Sequence, residues 1–357
     1  MSKDKQAVNW TNAAGCLVAL VLLAGCSITP PTATSVPAVA SAPAPHGLVI
    51  HGGAGSGSRA NISPELEAAM RAAMGEALAS GFQVLDDGGS SLDAVTAAIL
   101  VLEEAPVFNA GVGAVFNAVG SHELDASIMD GATMNAGAAA GVSTVRNPIL
   151  LARAVMEHSP HVMLSGSGAE AFSKEHNLEQ VTPDFFDTER RRQQLEKRLA
   201  RDRNTAATDA ATSESGSNYF GTVGVVALDK RGNLAAGTST GGMTAKRYGR
   251  IGDSPVVGAG TYANNASCGV SSTGHGEFFI RHVVAYNICA RMQFRGDSLE
   301  KAADDVIMKE LVEVGASGGV VAMDAKGNIA WPFNSDSMTR AHQSRDQPPR
   351  VLIFKNE

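Results

Sequence analysis

The sequence predicts a layered α+β fold, and three observations support this. Residues 225–235 and 320–330 repeat one pattern: an apolar strand, an Asp-x-x-Gly-Asn turn and a second apolar run. Glycine and asparagine tolerate positive φ, so this turn is typical of a β-hairpin, and two hairpins indicate an antiparallel sheet. Helical patterns over 278–292 and 298–314 are grouped between the hairpins, unlike the strict alternation of a parallel fold. A chain of 357 residues, 44% of them hydrophobic, is also long enough to bury a large core.

The elements before the first hairpin follow from local signals. A short apolar strand at 48–50 runs into a glycine-rich turn over 51–55. Ser63 followed by Pro64 is a typical helix start, and apolar residues then recur at helical spacing as far as Leu85. The remaining elements are predicted as a helix from Ser91, strands at 126–129 and 136–138, a helix from Asn147 through Met156, and a charged helix over 189–203.

The N-terminal segment predicts an export signal. Its apolar stretch over 13–24 is too short to span a bilayer and is typical of a signal peptide. The tetrad Leu23-Ala24-Gly25-Cys26 resembles a bacterial lipobox, which predicts a lipoprotein signal peptide at 1–25 and lipidation of Cys26. Residues 26–46, rich in Pro, Ala and Thr, would form a tether. We therefore expect a membrane-anchored protein of the cell envelope facing the periplasm or exterior, the alternative being an ordinary signal peptide with an incidental cysteine.

Composition excludes some partners and some kinds of site. Acidic residues (36) outnumber basic ones (29) and aromatic residues make up only 5%, which argues against a nucleic-acid-binding protein. Only Cys268 and Cys289 remain in the folded part, where we expect free buried thiols. The histidines and cysteines do not cluster at ligand spacing, so no catalytic transition metal is expected.

Two motifs fit common fingerprints imperfectly. The run Gly166-Ser167-Gly168-Ala169-Glu170-Ala171 matches a loose dinucleotide motif but lacks an acidic residue at the end of a following strand. Residues 237–241 match the Gly-x-Ser-x-Gly nucleophile elbow around Ser239, with an aspartate and a histidine downstream. The elbow requires a helix next, and the glycines between 241 and 250 disfavour one. A serine hydrolase using Ser239 stays an alternative.

A third motif is defined by its position. Gly221 and Thr222 follow a Thr/Ala/Ser tract, predicted as a flexible linker over 204–218, and precede a buried strand. A threonine hydroxyl is a weak nucleophile unless a base is adjacent, and a chain-terminal threonine can use its own α-amine. That amine titrates near 7.7–8, which suits a general base. Gly221 would leave its peptide bond open to attack by the Thr222 hydroxyl. The alternative is a plain strand-entry threonine.

The order of several motifs resembles one family. Residues 221–224, 238–243, 249–255, 258–263 and 273–277 look like the β-subunit of the plant-type asparaginase/isoaspartyl peptidase family of N-terminal nucleophile hydrolases. The first half resembles its α-subunit through 51–55, 108–111, 122–126 and 146–148, so that the similarity covers about 47–357.

The resemblance implies a four-layer αββα sandwich made as a precursor and cut between Gly221 and Thr222. It implies an α-subunit over 47–221, a β-subunit over 222–357 and a dimer of αβ units. The implied reaction is hydrolysis of β-aspartyl amide bonds, in isoaspartyl dipeptides and L-asparagine, releasing L-aspartate without a catalytic cofactor. A glycosylasparaginase-like amidase and a non-catalytic amino-acid-binding lipoprotein stay as alternatives.

The resemblance also implies roles for individual residues. Thr222 would be the nucleophile, with Thr240 orienting it and Asn109 beside it. Thr273 and the Gly274 N–H would form the oxyanion hole. Arg250 would hold the substrate α-carboxylate and Asp253 its ammonium group, assisted by Gly274 and the Gly276 carbonyl. A loop resembling the family's sodium-binding loop would offer the main-chain carbonyls of Leu102, Glu103, Ala105, Phe108, Ala110 and Val112 to a structural sodium ion.

Overall fold

A computed structural model describes residues 45–206 and 221–357, apart from Ser56, Ser58, Ala60 and Asn61. The predicted signal peptide, Cys26 and the tether up to residue 44 lie outside the described residues. So does most of the predicted linker, but its first residues, 204–206, are helical, and that boundary is corrected.

The chain forms a mixed α+β structure. Its strands are β1 Gly47–Gly55, β2 Leu124–Asp130, β3 Ala136–Val142, β4 Met163–Ser165, β5 Val223–Leu228, β6 Leu234–Thr240, β7 Thr261–Ala263, β8 Cys268–Gly274, β9 Gly318–Asp324, β10 Ile329–Ala330, β11 Ser337–Ser344 and β12 Gln347–Phe354. Its helices are α1 Pro64–Asp86, α2 Ser91–Glu104, α3 Pro148–His158, α4 Gly166–Glu175, α5 Glu189–Ala206, α6 Gly276–Arg281, α7 Val284–Ala290, α8 Leu299–Asp304 and α9 Leu311–Glu313. Three-residue and four-residue 3₁₀ turns begin at Gly111 and Pro183, and π-helical stretches cover Arg291–Arg295 and Asp305–Glu310.

The strands form two sheets. The larger has the order β12-β11-β1-β5-β6-β2-β3-β4, and the smaller has the order β10-β9-β8-β7. All the strand pairs are antiparallel except β3 with β4. Both predicted hairpins are present, as β5–β6 and β9–β10. Strand β1, which precedes residue 221, lies between β11 and β5, which both follow it. Segments from before and after residue 221 are therefore interleaved within one sheet.

Apolar side chains cover both faces of the sheets. Leu48 and Ile50 of β1 point toward α1 and α2, in a core they share with Leu78 and Ile99. Val49, on the opposite face of β1, lies in a second core with side chains of β8, β9, α7 and α8. Since strand side chains alternate between faces, residue 51 falls on the same side as Val49, toward the smaller sheet.

Some local predictions are corrected by the structure. The glycines at 52, 53 and 55 continue strand β1, with an irregular register between His51 and Gly53, where a turn was expected. The helix expected over 278–292 is interrupted at Val283, whose φ of 48° is left-handed. Cys268 and Cys289 form a disulfide, with Cα atoms 5.3 Å apart, so the expectation of free thiols is wrong. Two cysteines 21 residues apart gave no sequence signal that the first residue of β8 would meet α7.

Candidate active site

Thr222 lies where two neighbouring strands of the larger sheet begin and end. It immediately precedes β5, and the antiparallel register that pairs Val223 with Ser239 sets Thr222 opposite Thr240, the last residue of β6. The two hydroxyl oxygens are 3.0 Å apart, and Thr222 is 8% exposed. Thr240 Oγ1 also accepts a hydrogen bond from the Gly242 N–H at 3.0 Å. Since that contact occupies an acceptor site, the Thr240 hydroxyl can donate to Thr222 and orient its oxygen.

The peptide bond between Gly221 and Thr222 is closely surrounded. The Gly221 carbonyl accepts a hydrogen bond from the Asn109 N–H at 3.0 Å. A Cβ at Gly53, which has a φ of 108°, would overlap with the Gly221 main chain, and a Cβ at Gly221 would lie 2.8 Å from Asn109 Cβ. Glycine is therefore required both at 221 and at 53, the residue that packs against it, because only a residue without Cβ permits so close an approach.

Asn109 is held firmly by its own side chain. Its Nδ2 donates to the Gly242 carbonyl at 2.7 Å, and its Oδ1 accepts from the Val115 N–H at 2.9 Å. Its main-chain carbonyl accepts from the Gly241 N–H at 3.1 Å. Asn109 therefore lies next to the Gly221–Thr222 peptide bond, and it links the loop after α2 to the loop after β6.

Thr273 and Gly274 end β8 at the same edge. Thr273 is fully buried, and its Oγ1 accepts a hydrogen bond from the Ala54 N–H at 3.1 Å. The hydroxyl hydrogen of Thr273 is then available for another acceptor. A Cβ at Gly274 would lie 2.6 Å from the Ser317 carbonyl oxygen and 2.7 Å from the Phe279 ring. Glycine at 274 allows this strand end to pack against the start of β9.

Arg250 and Asp253 are adjacent, as their spacing implied. A Cβ at Gly276 would lie 2.8 Å from Arg250 Nη2 and 2.9 Å from Asp253 Oδ1, so Gly276 touches both side chains. Asp253 is 4% exposed, and its Oδ2 accepts no hydrogen bond among the described residues. Burial raises the pKa of Asp253 to about 7, although the Arg250 charge acts against this shift. A cation placed beside Oδ2 would favour the ionised form.

Arg250 is paired with a carboxylate that sequence reasoning did not assign. Its Nε and Nη2 each donate to Glu277 at 2.9 Å, a bidentate arrangement. Arg250 and Glu277 also line a cavity of about 490 Å³ with Arg198, Lys246 and His275. The Nζ atom of Lys246 lies 4.0 Å from Asp125 Oδ2, and both side chains are 1% exposed.

His51 is the other group whose role was missed. It is fully buried, with Nδ1 3.0 Å from the Thr222 carbonyl oxygen and Nε2 2.9 Å from Ser271 Oγ. Desolvation lowers the pKa of His51 to about 3, so the ring is neutral. The sequence does hold a signal: alternation along the strand sets residue 51 on the same face as Val49, toward the catalytic side.

Ser239 does not form a nucleophile elbow. It lies within β6, fully buried, and its hydroxyl donates to Glu103 Oε1 at 2.6 Å. The strand continues to Thr240, and a turn, not a helix, follows. The face of β6 that carries Ser239 is opposite the one that carries Thr240. This geometry disfavours a serine hydrolase.

The predicted sodium loop begins at the end of α2, which contains Leu102 and Glu103. Ala105, Phe108, Ala110 and Val112 follow in the irregular segment that also carries Asn109. A Cβ at Gly111 would overlap with the Glu103 carbonyl, and one at Gly113 with the Phe108 carbonyl. Two of the six proposed carbonyls, those of Glu103 and Phe108, therefore pack against glycines, and those of Ala105 and Ala110 accept hydrogen bonds from the Phe108 and Gly113 N–H groups.

Comparison with known proteins identifies close relatives. The family model described as asparaginase matches residues 44–353. Isoaspartyl peptidase from Salmonella typhimurium is 51% identical, over 86% of this chain and 98% of that protein. Isoaspartyl peptidase from Escherichia coli is 50% identical, over 87% and 96%. Isoaspartyl peptidase/L-asparaginase from Xenopus laevis is 40% identical, over 84% and 93%.

The prediction of a cell-envelope location is wrong. The two bacterial relatives, matched over nearly their whole length, are named as peptidases and not as lipoproteins. Within 45–206 and 221–357, no helix combines the length and the apolar character that crossing a bilayer requires. The lipid anchor predicted at Cys26 is not supported by these relatives.

Proposed function

The chain belongs to the asparaginase family, and from this membership we propose that it hydrolyses β-aspartyl amide bonds, in isoaspartyl dipeptides and in L-asparagine, releasing L-aspartate. The observation that carries the proposal is the Thr222–Thr240 hydroxyl contact of 3.0 Å next to a Gly221 peptide whose carbonyl is held. Substrates with an amide leaving group on the β-carboxyl of aspartate fit a site with a hydroxyl nucleophile and a paired cation and anion.

The first step is self-cleavage. Thr222 Oγ1 attacks the Gly221 carbonyl carbon, the Gly221–Thr222 C–N bond breaks, and the Thr222 nitrogen takes up the hydroxyl proton. The resulting ester is hydrolysed by water, which leaves a Gly221 carboxylate and a free Thr222 α-amine. The Asn109 N–H, 3.0 Å from the Gly221 carbonyl oxygen, stabilises the negative charge that develops there.

Turnover uses the group that cleavage releases. The Thr222 α-amine accepts the hydroxyl proton while Oγ1 attacks the β-carbonyl carbon of the substrate. The Thr273 hydroxyl and the Gly274 N–H donate to the oxyanion, a contribution of roughly 3–4 kcal/mol per donor in comparable sites. The amine leaves with the proton, and water then hydrolyses the aspartyl ester to regenerate Thr222.

The α-groups of the substrate are held at the other end of the site. The Arg250 guanidinium binds the α-carboxylate, and Asp253 Oδ2, which accepts no hydrogen bond from described residues, binds the ammonium group. The Gly276 carbonyl assists Asp253. Glu277 holds the Arg250 fork in place before substrate binds.

Three structural proposals accompany this function. The contacts of α1 to α3 with the larger sheet, of α7 and α8 with the smaller, and of the sheets with each other support a four-layer αββα sandwich. The family resemblance supports α-subunit 47–221, β-subunit 222–357 and a dimer of αβ units.

A sodium ion held by the carbonyls of the loop over 102–112 is the third proposal. It would supply rigidity to the segment that carries Asn109, and main-chain carbonyl oxygens are ligands that suit a hard cation.

Replacing Thr222 tests the function. We expect Thr222→Ala to remain a single chain without turnover of β-aspartyl dipeptides or L-asparagine, whereas the wild type gives two chains, the smaller beginning at Thr222. Ser239→Ala is the matched control, since it removes a buried hydroxyl 2.6 Å from Glu103 and should leave cleavage and turnover intact. Full activity of an uncut chain, or loss of activity only in Ser239→Ala, would contradict the proposal.

A further inference from the structure

A chain of hydrogen-bonded polar groups crosses the interface between the two sheets. His51 Nε2 lies 2.9 Å from Ser271 Oγ, which in turn lies 2.7 Å from Thr238 Oγ1. Thr261 Oγ1 donates to Thr238 Oγ1 at 2.5 Å, and Ser127 Oγ lies 2.8 Å from Thr261 Oγ1. We call these five side chains the inter-sheet chain.

The inter-sheet chain is buried in apolar surroundings. Its five side chains have no exposed surface, and the core around them includes Val49, Val226 and Val270. Polar groups removed from water destabilise a protein unless they are paired, so a line of five is costly unless every member is satisfied. We therefore expect a buried polar line of this kind to have a role in the site around Thr222, which it contacts through His51.

One end of the inter-sheet chain fixes its proton order. The Thr222 carbonyl can only accept, so His51 Nδ1 carries the hydrogen and donates to it at 3.0 Å. The neutral ring then has an unprotonated Nε2, and the Ser271 hydroxyl must donate to it. Ser271 Oγ therefore accepts from Thr238 at 2.7 Å, a shorter contact than the one of 3.2 Å that Thr238 Oγ1 makes with the Gly260 carbonyl oxygen, and Thr261 donates to Thr238.

Gly224 provides the space that this arrangement needs. It pairs with His51 in the register of β1 with β5. A Cβ at Gly224 would overlap with Ser271 Oγ and lie 2.5 Å from His51 Nε2. The close contact between the His51 ring and the Ser271 hydroxyl therefore requires a residue without a side chain at 224, two positions after Thr222.

Members of the inter-sheet chain lie on or contact the segments that carry Thr240, Thr273 and Asp253. Thr238 is two residues before Thr240 on β6, and Ser271 is two residues before Thr273 on β8. At the far end, the single hydroxyl hydrogen of Ser127 is shared between Thr261 Oγ1, 2.8 Å away, and the Ser254 carbonyl oxygen, 2.6 Å away and next to Asp253.

We propose that His51 is a positioning residue for Thr222, held as the Nδ1–H tautomer by the inter-sheet chain. Through His51, the inter-sheet chain fixes the position of the Thr222 main chain relative to β8, which carries Thr273 and Gly274, and relative to the loop that carries Asp253. The inference rests on the proposed function of Thr222, and His51 itself transfers no proton to substrate.

Two neighbouring serines of β8 provide a matched test. Ser271→Ala removes the donor to His51 Nε2, whereas Ser272→Ala removes an equally buried hydroxyl that donates to the Ala259 carbonyl at 3.3 Å, outside the inter-sheet chain. We expect Ser271→Ala to slow self-cleavage and lower kcat about tenfold or more with little change in KM, because small displacements at a nucleophile are costly. Ser272→Ala should keep both rates while losing comparable thermal stability. Equal losses of rate in the two variants, or none in Ser271→Ala, would overturn the proposal.

The tautomer can be observed without measuring activity. With ¹⁵N-labelled histidine, the wild-type His51 ring should show a protonated Nδ1, an unprotonated Nε2 and no titration at neutral pH. The Ser271→Ala change should shift the Nε2 resonance, and Ser272→Ala should not. A protonated Nε2 in the wild type would refute the proton order. If the protein hydrolysed no β-aspartyl substrate, this spectrum and the self-cleavage rates would still decide the role of His51 independently.

Discussion

Thr222 differs from the other buried hydroxyl groups in the environment of the peptide bond before it. Thr238 and Ser239 are also buried hydroxyl residues, but both lie within the regular strand β6. Thr222 follows a glycine whose carbonyl is held by Asn109 and whose main chain packs on Gly53. These main-chain surroundings distinguish the proposed nucleophile Thr222 from the hydroxyl groups of Thr238 and Ser239.

The ionisation of Asp253 predicts how substrate binding depends on pH. Burial raises the pKa of Asp253 to about 7, with Arg250 opposing the shift and Glu277 and Asp125 adding to it. Since an ammonium group binds the ionised form, affinity should be full above pH 7 and should fall about tenfold per unit well below it. The inhibition constant of L-aspartate, measured across this range, checks the effect without requiring turnover.

The control for this prediction is Asp253→Asn, which cannot ionise. It should bind L-aspartate weakly and show little change between pH 6 and 8. An inhibition constant that stays flat with pH in the wild type would contradict the assignment of Asp253 to the ammonium group.

The site residues that lie within short motifs could be predicted from the sequence, but their hydrogen-bond partners from distant segments could not. Arg250 and Asp253 are three positions apart around Gly252, so their proximity follows from local chain geometry. Glu277 pairs with Arg250 across 27 positions, and Ser271 pairs with His51 across 220. Such contacts depend on which strands become neighbours, and periodicity does not contain that information.

At the scale of elements, helix α5 holds the loop that carries Asn109. Arg191 is 3% exposed, and its Nε donates to the Gly113 carbonyl at 2.6 Å. Arg190 Nη2 donates to the carbonyls of Pro106 and Val107 at 3.1 and 2.8 Å. These carbonyls are not among those proposed for sodium, so the two arginines and the ion would hold different oxygens of one loop.

Replacing Arg191 with methionine should loosen this loop. Arg191 Nη1 also donates to Gln194 within α5, but only the hydrogen bond to Gly113 reaches the loop. Its loss, worth ~1 kcal/mol, is expected to slow self-cleavage about fivefold, because Asn109 orients the Gly221 carbonyl. Hydrogen exchange of the amides from 105 to 115 should increase. The matched control is Arg192→Met, whose side chain is half exposed and pairs with Asp187. Unchanged exchange in Arg191→Met would contradict this role of α5.

Elements with strong local signals were predicted well. The Gly-Asn turns fixed both hairpins, and Ser63 caps α1 by accepting from the Leu66 N–H at 3.2 Å. The glycines after Ile50 were expected to form a turn because glycine disfavours strands. They remain in β1 because that strand is paired on both sides, with β11 and β5, and the sheet outweighs local preference.

At the scale of the whole molecule, cleavage after Gly221 would divide an interleaved sheet. Strand β1 from the first part lies between β11 and β5, and β6 from the second part lies next to β2 from the first. The two parts would therefore share strand pairs within one sheet and side chains in both apolar cores. The disulfide joins Cys268 to Cys289, both after Thr222, and does not connect the parts.

This arrangement predicts tight association without a covalent link. The cleaved protein should elute as one species under native conditions, since separation would expose strand edges and core side chains on both parts. On denaturing gels without reductant it should give two bands, and the smaller chain should contain no free thiol at Cys268 or Cys289. Adding reductant should change neither the native elution nor the number of bands. Two separate native species after cleavage, or a single unreduced band that reductant splits, would contradict the interleaved arrangement with a disulfide confined to the second part.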